Sequence, residues 1–231
     1  MKGIHFAAIF TLILACNGAG ALDLRLFHKT SFTGIALEGV LDEPDIGRLK
    51  GLIKREGFAK PYILFIDMRG GAQIAAQAMS ALMLAVAKAQ RRQGVPLQVA
   101  VVGRCYSACT LLMTKLTKGS ASKDLRIWVS PEARFGLHGP RLRKNGVWLN
   151  TDGENSHLYT HFRNLAIRDY LESGLNSDWV QYLHQPELKI FGPREICERE
   201  SRIVPKQACM NSKREMSQTM VQHIHEAAAG T

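Results

Sequence analysis

Two kinds of hydrophobic pattern alternate along the chain. Residues 62–66 and 97–102 are short, nearly continuous apolar runs, the pattern of strands buried on both faces of a sheet, and residues 35–41 also read as a strand. Each is followed by a segment of helical character. Residues 43–55 are amphipathic, 73–92 are rich in Ala and Met and end at the breaker Gly94-Val95-Pro96, and 107–116 are short and apolar. Further strands are predicted at 127–129 and 134–137, and further helices at 156–172 and 177–183. Strand and helix alternating at this spacing is the βαβ pattern of an α/β fold, with right-handed crossovers covering the sheet. No linker rich in Pro, Gly or Ser divides the chain, so the reading is one domain over 22–205, followed by a polar tail over 206–231.

The first residues follow another logic. Lys2 provides a positive n-region, Ile4 to Leu14 an apolar h-region, and Ala19-Gly20-Ala21 fits an A-x-A cleavage site. This is the layout of a secretory signal peptide over 1–21, and it predicts a periplasmic or secreted protein. The apolar run is too short to span a bilayer, which takes about 20 residues. Cys16, preceded by Ile13-Leu14-Ala15, supplies the alternative of a lipidated N-terminus, and membrane attachment is expected only in that case.

Composition adds constraints. An apolar fraction of 46% and a charged fraction of 22% are those of a globular protein. The formal charge of +10 loses one unit with Lys2 if the leader is removed. The basic residues are scattered (Arg91-Arg92, Arg141 to Lys144, Lys213-Arg214) and do not interleave with aromatics, so no nucleic-acid partner is expected. Beyond the leader stand Cys105, Cys109, Cys197 and Cys209. An even number in an exported chain points to disulfides, with three possible connectivities; Cys105–Cys109 with Cys197–Cys209 is the simplest. No C-x-x-C pair is present, and no metal site is expected.

Three short segments carry candidate chemistry. Asp67-Met68-Arg69-Gly70-Gly71 follows a buried strand, and the glycines allow a sharp turn with exposed N–H groups that suit an oxyanion. Cys105-Tyr106-Ser107-Ala108-Cys109 lies between a strand and a helix. Ser107 there is either an ordinary N-cap or a nucleophile at a positive helix end, with the Ala108 amide beside it. Phe135-Gly136-Leu137-His138-Gly139-Pro140 puts a histidine at the end of an apolar strand, at the carboxyl edge where α/β sites collect. Ser107 with His138 is then a candidate nucleophile and base.

The order Gly-Gly, small-residue serine turn, then histidine near proline resembles the ClpP/crotonase superfamily, in particular its ClpP-type serine peptidases. The Cys-x-Ser-Ala-Cys form is similar to an exported bacterial branch. The likeness spans roughly 33–205. It implies a repeated ββα/βαβ spiral, Ser107 as nucleophile, His138 as base, and an oxyanion hole from Gly70, Gly71 and Ala108. It also implies a peptide or other acyl substrate, no cofactor, and a homo-oligomer; no ATPase partner is evident. The chain departs from the family at the third triad member. Where the peptidases carry an acid two residues before a Phe-Leu-Ser-Ala-Pro-Glu-like segment, Lys189 stands before Phe191-Gly192-Pro193. Glu187 is the candidate acid and Asp178 the next nearest. Asp67-Met68-Arg69 likewise replaces the usual Ser-Pro before the glycines. The missing acid keeps a second reading in play, a non-catalytic binding or scaffold protein on the same fold. An acyl-CoA-handling relative is disfavoured because CoA chemistry is cytoplasmic. Ser120 to Lys123 matches S-x-x-K without its partner motifs, and His157 with His161 lacks the intervening Glu of a zinc helix.

Overall fold

The computed structural model describes residues 22–119, 124–141, 143–144, 147–148, 156–206 and 208. The expected leader over 1–21, Cys16, Cys209 and nearly all of the tail lie outside the described residues.

The strands are β1 (Asp23–His28), β2 (Thr33–Leu41), β3 (Tyr62–Gly71), β4 (Leu97–Tyr106), β5 (Leu125–Val129), β6 (Arg134–Leu137), β7 (Arg143–Lys144), β8 (Val147–Trp148) and β9 (Lys189–Phe191). The helices are α1 (Glu43–Glu56), α2 (Gln73–Arg91), α3 (Ala108–Gly119), α4 (Ser156–Ser173) and α5 (Pro193–Glu198), with a 3₁₀ segment over Ser177–His184. The protein is a mixed α/β structure. Its main sheet runs β1-β2-β3-β4-β6-β9, with β5 also on β4, while β7 and β8 pair by themselves. Pairs among β2, β3, β4, β5 and β6 are parallel, and β1 and β9 add on antiparallel at the edges.

The apolar runs form the central strands as the pattern predicts. Alternate residues of β3 (Tyr62, Leu64, Ile66, Met68) enter one large core with buried residues of α1, α2, α3, α4 and α5. The intervening Ile63 and Phe65 join Ala36 and Ala100 in a second cluster on the other face, packed by Phe27, Phe32, Val102 and Trp128 and, among the described residues, by none from a helix. Burial of each such side chain stabilises the fold by roughly 1.5–3 kcal/mol.

Differences from the sequence reading are local. The serine does not begin a helix: β4 continues to Tyr106, and α3 begins at Ala108, leaving Ser107 alone in the turn between them. Residues 177–184 are 3₁₀ rather than α-helical. Strand β1, with Leu22 before it, alternates apolar and polar residues over 22–26, its leucines meeting the core, a pattern that sequence reasoning passed over, while the three-residue β9 is too short to show a period. Trp179, fully buried, packs edge to face on Phe191 with ring centroids 4.7 Å apart, and Phe191 pairs with Phe135 of β6, which anchors β9.

One irregularity governs the carboxyl edge of the sheet. Between β3 and β4 the register runs from Ile66 opposite Val101 to Met68 opposite Cys105, so β4 holds two extra residues. β4 changes neighbour there, pairing with β5 over 97–101 and with β6 over 104–106. The Asp67 carboxylate sits in this bulge. It accepts from the Arg104 backbone N–H at 2.7 Å and from Arg104 Nε and Nη2 at 2.8 Å each. It lies so close to Gly103 that a Cβ there would come 2.6 Å from Asp67 Cγ. Burial pushes the Asp67 carboxyl up, but the Arg104 hydrogen bonds and the nearby Arg104 and Arg69 charges outweigh it, holding the group below its ordinary value.

A carboxylate depressed in the folded state stabilises it above the unfolded-state value and loses that contribution as pH falls. Both partners are partly exposed, so Asp67→Asn is expected to cost about 1–2 kcal/mol at pH 7. In urea titrations the difference from wild type should close as pH falls through and below 3.8. A gap unchanged at low pH would mean that the carboxylate charge does not hold the bulge.

Candidate active site

Three adjacent parallel strands, β3, β4 and β6, end together, and each delivers one of the motifs singled out above. With Met68 opposite Cys105, Gly70 comes level with Ser107. With Tyr106 opposite Gly136, and the Ser107 N–H donating to the Gly136 carbonyl at 2.8 Å, Ser107 comes level with Leu137, one residue before His138. Gly70, Ser107 and His138 therefore leave neighbouring strand ends, which are spaced about 4.8 Å apart.

Ser107 has φ 51°, in the left-handed region that side-chain-bearing residues seldom occupy. Such a conformation costs on the order of 1 kcal/mol and persists only where the surroundings impose it. Here they do. The Ser107 carbonyl accepts from the Leu111 N–H at 3.2 Å, the Thr110 hydroxyl at 2.5 Å and the Tyr170 hydroxyl at 2.7 Å. Tyr170 comes from α4 and is buried, and that burial keeps its phenol protonated far above its ordinary range. The Cys105–Cys109 disulfide closes over the same turn, with Cα atoms 5.0 Å apart. A strained strand-to-helix turn of this kind lifts a serine hydroxyl out of the sheet. Ser107 is half-buried, and its hydroxyl makes no hydrogen bond to the described residues.

The two glycines are required by space as well as by conformation. Gly70 (φ 118°) could not carry a Cβ without placing it 3.2 Å from Ser107 Cβ and 3.3 Å from the Tyr106 carbonyl. At Gly71 (φ 142°) a Cβ would lie 2.1 Å from the Leu41 carbonyl. Ala108 opens α3, where a backbone N–H has no intrahelical acceptor.

His138 is half-buried. Its Nδ1 is in hydrogen-bond contact with the carbonyl of Gly139. Gly139 is itself fixed, donating to the Gln185 carbonyl at 2.6 Å. A Cβ at Gly139 would lie 2.9 Å from both the Leu183 carbonyl and Tyr159 Oη. Burial lowers the His138 pKa below 6.5; the Gly139 carbonyl opposes the shift and the Arg141 charge adds to it. No carboxylate is among the groups that shift it. His138 and the Ser107 hydroxyl are not hydrogen-bonded to each other.

Glu187 is exposed, two residues before β9, and among the described residues has no hydrogen bond to the His138 ring. Asp178 is exposed at the start of the 3₁₀ segment. Cys197 is disulfide-bonded to a residue outside the described ones. His157 and His161 are exposed on α4, and among the described residues no group of three or more metal-ligating side chains assembles. The residues that sequence reasoning did not reach are Thr110, Tyr170, the Gly139 carbonyl and the Asp67–Arg104 pair. The first two carry no local signal, since a Thr and a Tyr on helices read as ordinary packing.

No protein-family model matches the chain, and no curated protein matches it.

If the turn at Ser107 is strained, Ser107→Gly and Ser107→Ala, which both lack the hydroxyl, should differ. The glycine variant is expected to be more stable by about 0.5–1 kcal/mol in chemical denaturation. Alanine equal to or better than glycine would show that φ 51° is held without cost.

Proposed function

We propose that the protein is an exported serine hydrolase on a ClpP/crotonase-like arrangement, acting on an acyl substrate, most simply a peptide. The observation that carries this reading is the convergence of Gly70-Gly71, Ser107 and His138 on three adjacent strand ends, with Ser107 on a left-handed turn. The export part rests on the leader pattern of residues 1–21.

In this mechanism the Gly139 carbonyl takes the Nδ1 proton of His138 as a hydrogen bond, which leaves Nε2 with the lone pair. Nε2 removes the Ser107 proton as Oγ attacks the acyl carbon. Negative charge on the former carbonyl oxygen is met by amides from Gly70, Gly71 and Ala108, a contribution that in acyl transfer reaches about 3–4 kcal/mol per donor. The imidazolium then protonates the leaving group as its bond to carbon breaks, and water, activated by the same histidine, hydrolyses the acyl-Ser107 ester. A backbone carbonyl thus orients the base, the role that an acid fills in a triad, and Glu187 has no assigned step. Low basicity of His138 keeps it neutral, and so competent as a base, to below pH 6.5.

The scaffold reading is favoured by the absence, among the described residues, of a carboxylate on His138 and of a hydrogen bond from His138 to Ser107. A fluorophosphonate probe separates the two. Wild type should be labelled, with labelling abolished in Ser107→Ala and reduced at least about 100-fold in His138→Ala. Its rate should rise with pH through an inflection below 6.5 and then level off, and Arg141→Gln should move that inflection upward. A folded wild-type protein that takes no label would favour the scaffold. Glu187→Gln tests the dyad directly. A loss on the order of 10³–10⁴ would restore a carboxylate to the mechanism, whereas a change within about threefold leaves Gly139 as the orienting group.

A further inference from the structure

We propose that the leaving group of the substrate carries a carboxylate close to the scissile bond, and that Arg141, Arg163 and the Tyr159 hydroxyl receive it. For a peptide this means release of the carboxyl-terminal residue. The inference rests on the serine hydrolase reading.

The histidine that protonates a leaving group must stand beside it, so the side chains around His138 face that half of the substrate. They are cationic. Arg141 lies three residues beyond His138, is exposed, and among the described residues is the charged group that acts on the His138 ring. It makes no ion pair with the described residues. On the other side, Tyr159 Oη reaches the backbone at Gly139, within 2.9 Å of where a Cβ would stand. Arg163, one turn further along α4, lays its guanidinium 5.7 Å from the Tyr159 ring centroid. Tyr159 Oη and Arg163 Nε are both buried and both lack a hydrogen-bond partner. Buried donors without acceptors are uncommon, because desolvating them costs about 1–3 kcal/mol each. Two such donors, together with Arg141, which has no ion pair among the described residues, match a planar anion, which guanidinium groups bind bidentately.

Three described carboxylates are already engaged elsewhere, while Glu187 is exposed. Asp67 is held by Arg104, Asp169 accepts from Gln73 and Gln77, and Glu132 from the Ser130 hydroxyl. A cationic cavity elsewhere among the described residues differs. A cavity of about 590 Å³ lies between the ends of α3 and α4 and includes Lys118, Arg202 and Lys206. Lys118 there already donates to the Glu172 carbonyl, and Lys206 pairs with Glu200. It is also a full helix length from Ser107, roughly 15 Å along α3.

The test compares two activated esters that differ only in the leaving group, 3-acetoxybenzoate and 3-acetoxybenzamide. In each, Ser107 Oγ bonds to the acetyl carbon and the phenol departs with a proton from His138. The carboxylate ester is expected to show a kcat/KM at least about tenfold higher. That ratio should fall to about threefold or less in Arg141→Gln and in Arg163→Gln, and should shrink in 0.5 M NaCl as the charges are screened. Arg141 is exposed, so its variant reports on binding even if Arg163→Gln does not fold. If fluorophosphonate labels Ser107 while wild type hydrolyses the two esters within threefold of each other, this inference is overturned and the hydrolase reading stands. If neither the probe nor either ester reacts at Ser107, both fall.

Discussion

Two residues of β4 have no counterpart on β3, and the carboxylate of Asp67 fills the space they leave. It binds the Arg104 backbone and guanidinium together and presses against Gly103, where only a residue without a Cβ fits. Without those extra residues Cys105, rather than Ser107, would stand opposite Gly70. The same bulge lets β4 exchange β5 for β6, and β6 carries His138. One ion pair, charge-assisted and partly screened from water, thus aligns three strand ends. The Asp67-Met68-Arg69 sequence, which departs from the pattern it otherwise resembles, has a structural use here.

That alignment sets up a second constraint at Ser107. A left-handed serine is unfavourable alone, and its carbonyl is held by three donors drawn from α3 and α4, with a disulfide across the turn. Strain of this size is retained where the neighbours over-determine the conformation. Tyr170 matters in this sense: it touches the backbone of the candidate nucleophile while standing apart from the hydroxyl, and burial keeps its proton in place for donation.

The electrostatics around His138 follow from what surrounds it. Burial and Arg141 both disfavour the imidazolium, and the Gly139 carbonyl only partly offsets them. In the folded state the ring gives up its proton more readily than in the unfolded chain, so protonation below about pH 6.5 draws stability away from the fold. Under the hydrolase reading we propose, the same cationic setting disfavours the imidazolium that forms during the reaction. An anion brought in by the substrate would relieve that penalty at the step where the imidazolium forms.

Much of the scaffold was legible in the residues themselves. Continuous apolar runs at 62–66 and 97–102 become β3 and β4 because a strand buried on both faces needs apolar residues at every position. Gly70-Gly71, Ser107 and His138 could be placed near strand ends because each lies within a few residues of a predicted strand's end, and the four-residue separation of Cys105 and Cys109 made their local pairing the simplest one. The bulge register, the Tyr170 and Thr110 contacts to the Ser107 carbonyl, the exposure of Glu187, the approach of Tyr159 to Gly139 and the seat of Arg163 on the Tyr159 ring were decided only by the tertiary structure. Hydrophobic period is a local property that burial imposes residue by residue. Which side chain meets which backbone group across 63 positions of sequence, as Tyr170 meets Ser107, depends on strand register and helix docking, and these exist only once the chain has closed on itself.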